Sequence, residues 1–184
     1  MNKLALAFAA TAVCVLGVPA TQAAAASVET VEAKNTATSA AAQARQDMFE
    51  AFGQDMLDPG KYLWRDVPAD AGKERVVISL SDQLAYLYRG ETLMAVATIS
   101  SGEPGRDTPT GIFTVNGKKT MHRSKKYDNA PMPFAQFIDQ YGIALHAGHN
   151  PGYPASHGCV RLPSKFPANP FEVSDLGTPV LIGA

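Results

Sequence analysis

Two cysteines in 184 residues are too few for a disulfide-stapled scaffold. Beyond the N-terminus no uncharged apolar run exceeds about 18 residues, so no internal membrane span is expected. Basic runs are missing and the formal net charge is −1, which argues against a nucleic-acid binder acting through bulk charge. No internal repeat is evident, which removes solenoid and propeller arrays. What remains is a chain that is 46% hydrophobic and 18% charged. That composition suits one globular domain with a short appendage and speaks against wholesale disorder.

The first 23 residues, MNKLALAFAATAVCVLGVPATQA, have the anatomy of a cleaved export signal. Lys3 charges the start, Leu4 to Val18 are uncharged, and Pro19 ends the stretch before a run of small residues. The expectation is export to the periplasm or cell wall, with no stable membrane span after cleavage. Cys14 would leave with the signal, so Cys159 becomes the lone thiol. In an oxidising compartment a lone thiol is either buried and inert or kept for its chemistry.

Seventeen of the 29 alanines fall in the first 51 residues, so composition shifts sharply there. Residues 24–73 read as a linker and helical N-terminal segment. Residues 24–37 are small and polar, as in a flexible linker. Residues 38–57 are helix-prone, with Met48, Phe49, Phe52, Met56 and Leu57 on one side. A helix docked on the domain is favoured over a spacer. From Arg75 onward short strands alternate with Gly and Pro turns: 75–80, 84–89, 91–100, 111–115, 141–146 and 180–182. The fold class is therefore mainly β, a mixed β-sandwich or partly open barrel with a small helix, spanning residues 74–184.

Chemistry concentrates in IALHAGHNPGYPASHGCVRL, residues 143–162, which hold three of the four histidines and Cys159. A free thiol is mostly protonated at neutral pH, and a neighbouring imidazole can accept that proton in an ion pair that favours the thiolate. His146 lies 13 residues before Cys159, across a turn-rich Asn150–Pro154 stretch that lets the chain fold back. His157 is only two residues away and is either catalytic or structural. Gly158 allows close backbone approach to a substrate. The amides of Gly158 and Cys159 could face a developing oxyanion. Arg161 could hold a substrate carboxylate or make a surface ion pair. His149 reads as a loop residue rather than the base. Zinc on the histidines and Cys159 would need a further ligand, which His149 could supply, and no metal or other cofactor is expected.

SHGCVRL (Ser156 to Leu162) resembles the signature of the L,D-transpeptidase family, whose catalytic domain is often called YkuD. The strand pair VVISLSDQLAYLYRG, the segment ISSGEPGRDTPTGIFTV, the upstream GIALHAG and the closing GTPV strand are also similar to family segments, in family order. PMPF (Pro131 to Phe134) resembles a variant family segment. The His146-to-Ser156 spacer is shorter than in many members, and Arg161 stands where some carry asparagine. The resemblance implies a transferase of cell wall and peptidoglycan biosynthesis, with Cys159 as nucleophile, His146 as base and His157 shaping the pocket. Ser156, Gly158 and Arg161 become substrate or oxyanion contacts. It implies a cysteine thioester formed on peptidoglycan tetrapeptide stems with release of D-Ala, and transfer to an amine acceptor. That acceptor is a second stem, giving a 3→3 cross-link, or a lipoprotein lysine. Carbapenem sensitivity is implied as well. A carboxypeptidase or endopeptidase on the same scaffold is the first alternative, and a non-catalytic wall-binding module the second.

Overall fold

The computed structural model describes residues 27–166 and 168–184, and the export-signal expectation for residues 1–23 lies outside them. Helix α1 (Val31–Phe52) comes first, followed by β1 (Tyr62–Trp64), β2 (Glu74–Ser79), β3 (Leu84–Arg89), β4 (Thr92–Thr98) and β5 (Gly111–Thr114). Then come β6 (Gly117–Ser124), β7 (Ala130–Phe137), β8 (Ala144–Gly148), β9 (Val160–Pro163), the short α2 (Ala168–Val173) and β10 (Pro179–Gly183). They form a six-stranded sheet ordered β1-β4-β3-β2-β10-β5 and a four-stranded sheet ordered β6-β7-β8-β9. Both are mixed, because β10 runs parallel to β2 and β8 parallel to β9. The result is the expected mainly β, unclosed sandwich.

Strands β2 and β3 carry apolar side chains on both faces. Val76, Ile78, Ala85 and Leu87 point between the sheets, where they meet Leu145, Val160 and Leu162. Val77, Leu84, Tyr86 and Tyr88 point the other way and meet α1. A bulge opposite Leu87 and Tyr88 lets Met94 and Ala95 both enter the inter-sheet core. Such double burial explains the near-continuous apolar runs in this part of the sequence.

Helix α1 starts at Val31, seven residues before the expected start. Thr30 caps it, its Oγ1 accepting from the Ala33 amide at 3.2 Å. It stops at Phe52 because Gly53 turns left-handed (φ 72°) and its N–H caps the Phe49 carbonyl. Residues 31–37, read as linker, are thus helical. The buried stripe is Ala33, Ala37, Ala41, Ala44 and Met48, whereas Phe49 is 60% and Met56 71% exposed. Small side chains win because the helix lies almost on the sheet: a Cβ at Gly183 of β10 would sit 2.7 Å from both the Ala37 carbonyl oxygen and the Thr38 Cα.

Strands β1, β6, β7 and β9 were not expected. The sequence of β6, GKKTMHRS, has no apolar alternation because this edge strand pairs only with β7 and buries none of its residues. The strand expected from Tyr141 begins only at Ala144. Asp139 explains this: its carboxylate accepts from the Tyr141 and Ile143 amides at 2.9 and 2.8 Å and turns the chain first. Among the described residues no helix is long and apolar enough to cross a membrane.

Candidate active site

The parallel pair β8–β9 brings the distant histidine to the thiol. In its register His146 lies opposite Arg161. Cys159 sits in the bend immediately before β9. His146 and Cys159 both line a cavity of about 880 Å³ bounded by β7, β8, the Ser156–Cys159 turn and the β6–β7 hairpin. Residues 149–155 make the return between these strands. Asn150 pins it by donating to the Thr98 carbonyl at 2.8 Å and accepting from the Gly152 amide at 3.1 Å.

His146 is 7% exposed. Its Nδ1 lies 2.7 Å from the Ala147 carbonyl oxygen. A carbonyl only accepts, so Nδ1 carries the proton and Nε2 keeps a lone pair. Burial pushes the imidazole below its usual range, partly offset by the Ala147 hydrogen bond. The nearby Arg161 and His122 lower it further. Cys159 is half-buried, its Sγ 3.8 Å from the Gly142 carbonyl oxygen. Burial pushes this thiol up, and a hydrogen bond from the Ala144 backbone only partly opposes that. Both shifts favour neutral forms. Burial thus works against forming a thiolate–imidazolium ion pair from these two side chains.

The Ser156–Cys159 turn is locked from within and from outside. The Ser156 hydroxyl donates to the Cys159 carbonyl and accepts from the Gly158 amide at 3.1 Å. Thr108 donates to the Gly158 carbonyl at 2.8 Å while accepting from the Gly102 amide at 2.9 Å. Ser101 receives the Ser156 amide through its carbonyl at 2.9 Å. Gly158 itself has φ 110°, and a Cβ there would meet the Ile143 side chain at 2.7 Å. Ser156 is thus a staple of the turn. The Gly158 amide, expected to face an oxyanion, is already spent on Ser156. Thr108, Ser101 and Asp139 were missed as positioning residues. Thr108 lies in the quoted segment ISSGEPGRDTPTGIFTV, but nothing local says that its hydroxyl reaches a turn 50 residues away.

Arg161 is held by backbone carbonyls. Its guanidinium donates to the His149 carbonyl at 3.2 Å and to the Ala155 carbonyl. It braces the return loop while lining the cavity. His157 stands at the cavity mouth with its ring stacked on Tyr127, centroids 4.3 Å apart and planes 17° off parallel. Its Nε2 is 3.9 Å from a Glu103 carboxylate oxygen. His149 is an exposed loop residue, as expected. Among the described residues no three His, Cys, Asp or Glu side chains converge as metal ligands.

The L,D-transpeptidase catalytic-domain model (YkuD) matches residues 73–182. No curated protein matches the chain. An L,D-transpeptidase from Mycobacterium smegmatis superposes with a TM-score of 0.56 at 18% identity, covering 61% of this chain and 59% of that one. An L,D-transpeptidase from Xylanimonas cellulosilytica gives 0.55 at 26% identity, covering 65% and 64%. L,D-transpeptidase 3 from Mycobacterium tuberculosis, in complex with a faropenem-derived adduct, gives 0.53 at 19%, covering 61% and 60%. The chain thus spans about three fifths of the length of these solved structures.

Proposed function

The chain belongs to the L,D-transpeptidase catalytic-domain family, and from that membership we propose that it is an exported cysteine acyltransferase acting on peptidoglycan tetrapeptide stems. The observation that supports the reading is that Cys159, just before β9, and His146 of β8 line the same cavity. The Nδ1–H tautomer of His146 supports its role as general base, because the free lone pair is on Nε2.

Burial, which disfavours the charged form of both groups, sets the order of events in this reading. As Cys159 Sγ attacks the carbonyl between the third residue and D-Ala, its proton passes to His146 Nε2. The buried imidazolium is disfavoured, so it readily returns that proton to the departing D-Ala nitrogen when the tetrahedral intermediate collapses. The products of this half are a thioester and free D-Ala. In the second half an amine attacks the thioester carbon and loses its proton through His146, and the thiol is restored. With the Gly158 amide occupied, the Cys159 amide is the oxyanion donor in this reading. A second stem as acceptor gives a 3→3 cross-link, and a lipoprotein lysine gives protein anchoring. Water as acceptor would make the same site an L,D-carboxypeptidase or an endopeptidase.

Intact-mass spectrometry of the protein tests this, with disaccharide-tetrapeptide in one arm and faropenem in the other. The expected result is a faropenem adduct on Cys159 and a cross-linked dimer lacking one D-Ala. Both vanish in Cys159→Ala, a loss on the order of 10³-fold or more. Tripeptide without dimer reassigns the enzyme to hydrolysis. Full cross-linking by folded Cys159→Ala would overturn the proposal.

A further inference from the structure

The β6–β7 hairpin holds a concentration of charge that the acyl-transfer reading does not use. Residues 117–130 contain five of the chain's sixteen Lys and Arg but one of its seventeen acidic residues. Some of these cations are committed to the fold. Lys118 Nζ caps the end of α2 by donating to the Phe171 carbonyl at 2.6 Å and to the Ser174 carbonyl. Arg123 donates to the Asn129 carbonyl at 3.1 Å within the hairpin tip. Lys125 and Lys126 are different. Both are exposed, both line the cavity, and neither has an ion-pair partner among the described residues. Lys126 Nζ lies over the face of Tyr127, 5.3 Å from the ring centroid.

The rest of the lining points the same way. All four histidines of the chain and Arg161 line the cavity, and no Asp or Glu does. Two carboxylates stand outside the lining: Glu103 is bound to Arg106 at 2.8 Å and lies 3.9 Å from His157, and Asp139 accepts two backbone amides while its charge pushes the Cys159 thiol up. Asp128 sits at the hairpin tip outside the lining. A cavity that holds the Arg161 guanidinium, with no carboxylate in its lining and a free cationic rim, favours anions.

We propose that Lys125 and Lys126 form a carboxylate-reading rim, which selects stem peptides whose side-chain carboxylates are free rather than amidated. This rests on the transpeptidase reading and names its substrate class. Tyr127 stacks on His157, two residues from the nucleophile, and so fixes this rim over the turn that carries Cys159.

The test uses the full chain with two donors: disaccharide-tetrapeptide, and the same compound with its stem side-chain carboxylates converted to carboxamides. The wild-type protein favours the acid form in kcat/KM, and the preference shrinks as salt is raised. In Lys125→Gln/Lys126→Gln the acid-to-amide ratio falls by about tenfold, through KM rather than kcat. Lys34→Gln/Lys73→Gln removes the same charge far from the cavity and keeps the ratio. An unchanged ratio in the rim variant overturns the inference while leaving the transpeptidase reading intact. If wild-type protein turns over neither donor, the transpeptidase reading fails. Calorimetric titration of Cys159→Ser with the two compounds then decides the rim separately. Tighter binding of the acid form, lost in the rim variant, upholds it; equal affinity or no binding overturns it.

Discussion

The two sheets of this protein solve opposite problems. The six-stranded sheet is covered on both faces, by the four-stranded sheet on one side and α1 on the other. It is stabilised by apolar burial on both faces. The four-stranded sheet is covered on one face only. Its other face, with the hairpin beyond it, bounds a cavity containing a buried imidazole, a half-buried thiol and a basic rim. Burial that would be ordinary stabilisation in the first sheet becomes chemistry in the second, because there it falls on groups that ionise. Changes in the first sheet should therefore register in melting, and changes in the second in rate.

The sharpest way to break that division is His146→Ala. Acylation by faropenem should slow by about 10²-fold or more with little change in melting temperature. In the wild-type protein the base must be neutral to act, and its burial lowers the pKa. The acid limb of acylation should therefore fall below the ordinary imidazole value of 6.5. A limb at or above that value in a stopped-flow pH profile would contradict this effect of burial.

Next in size is Ala44→Leu in the buried stripe of α1. The helix has no room to retreat from the sheet, so overpacking should cost about 1–3 kcal/mol in denaturant unfolding. Acylation of the protein that remains folded should be nearly unaffected. A large rate loss at this position would mean that the helix is coupled to the site. Thr30→Ala removes the cap that starts the helix and should cost about 1 kcal/mol, again without a rate effect. His149→Ala should change acylation by less than about twofold, since only its carbonyl has a described partner. A larger loss would move the base assignment away from His146.

The double-sided sheet was largely legible in advance. Runs such as RVVISL and LAYLYR declare themselves through apolar content bounded by turn residues, and β2, β3 and β4 fall close to the expected positions. The hairpin was not legible, because an exposed edge strand needs no periodicity. The helix was misread in a specific way. Of the large apolar residues taken to mark its buried side, Met48, Phe52 and Leu57 do meet the core while Phe49 and Met56 are exposed, and the close approach at Gly183 puts alanine along the rest of the seam. At the site the participants were visible and their partners were not. Ser156, Gly158 and Arg161 stand out in SHGCVR, yet each spends its hydrogen bonds on the turn or the return loop.

By itself the sequence determined the mainly β class, the lone thiol, the histidines near it and the resemblance to a family. These follow from residue identity, local periodicity and short motifs, all of which are properties of neighbours in the chain. Only the tertiary structure decided that His146 and Cys159 line one cavity and that burial disfavours the charged form of each. It alone decided that Thr108 holds the turn before Cys159 and that two lysines of an unremarkable hairpin overlook the cavity. Burial, register and long-range hydrogen bonds depend on which distant segments meet, and no short stretch of sequence encodes that alone.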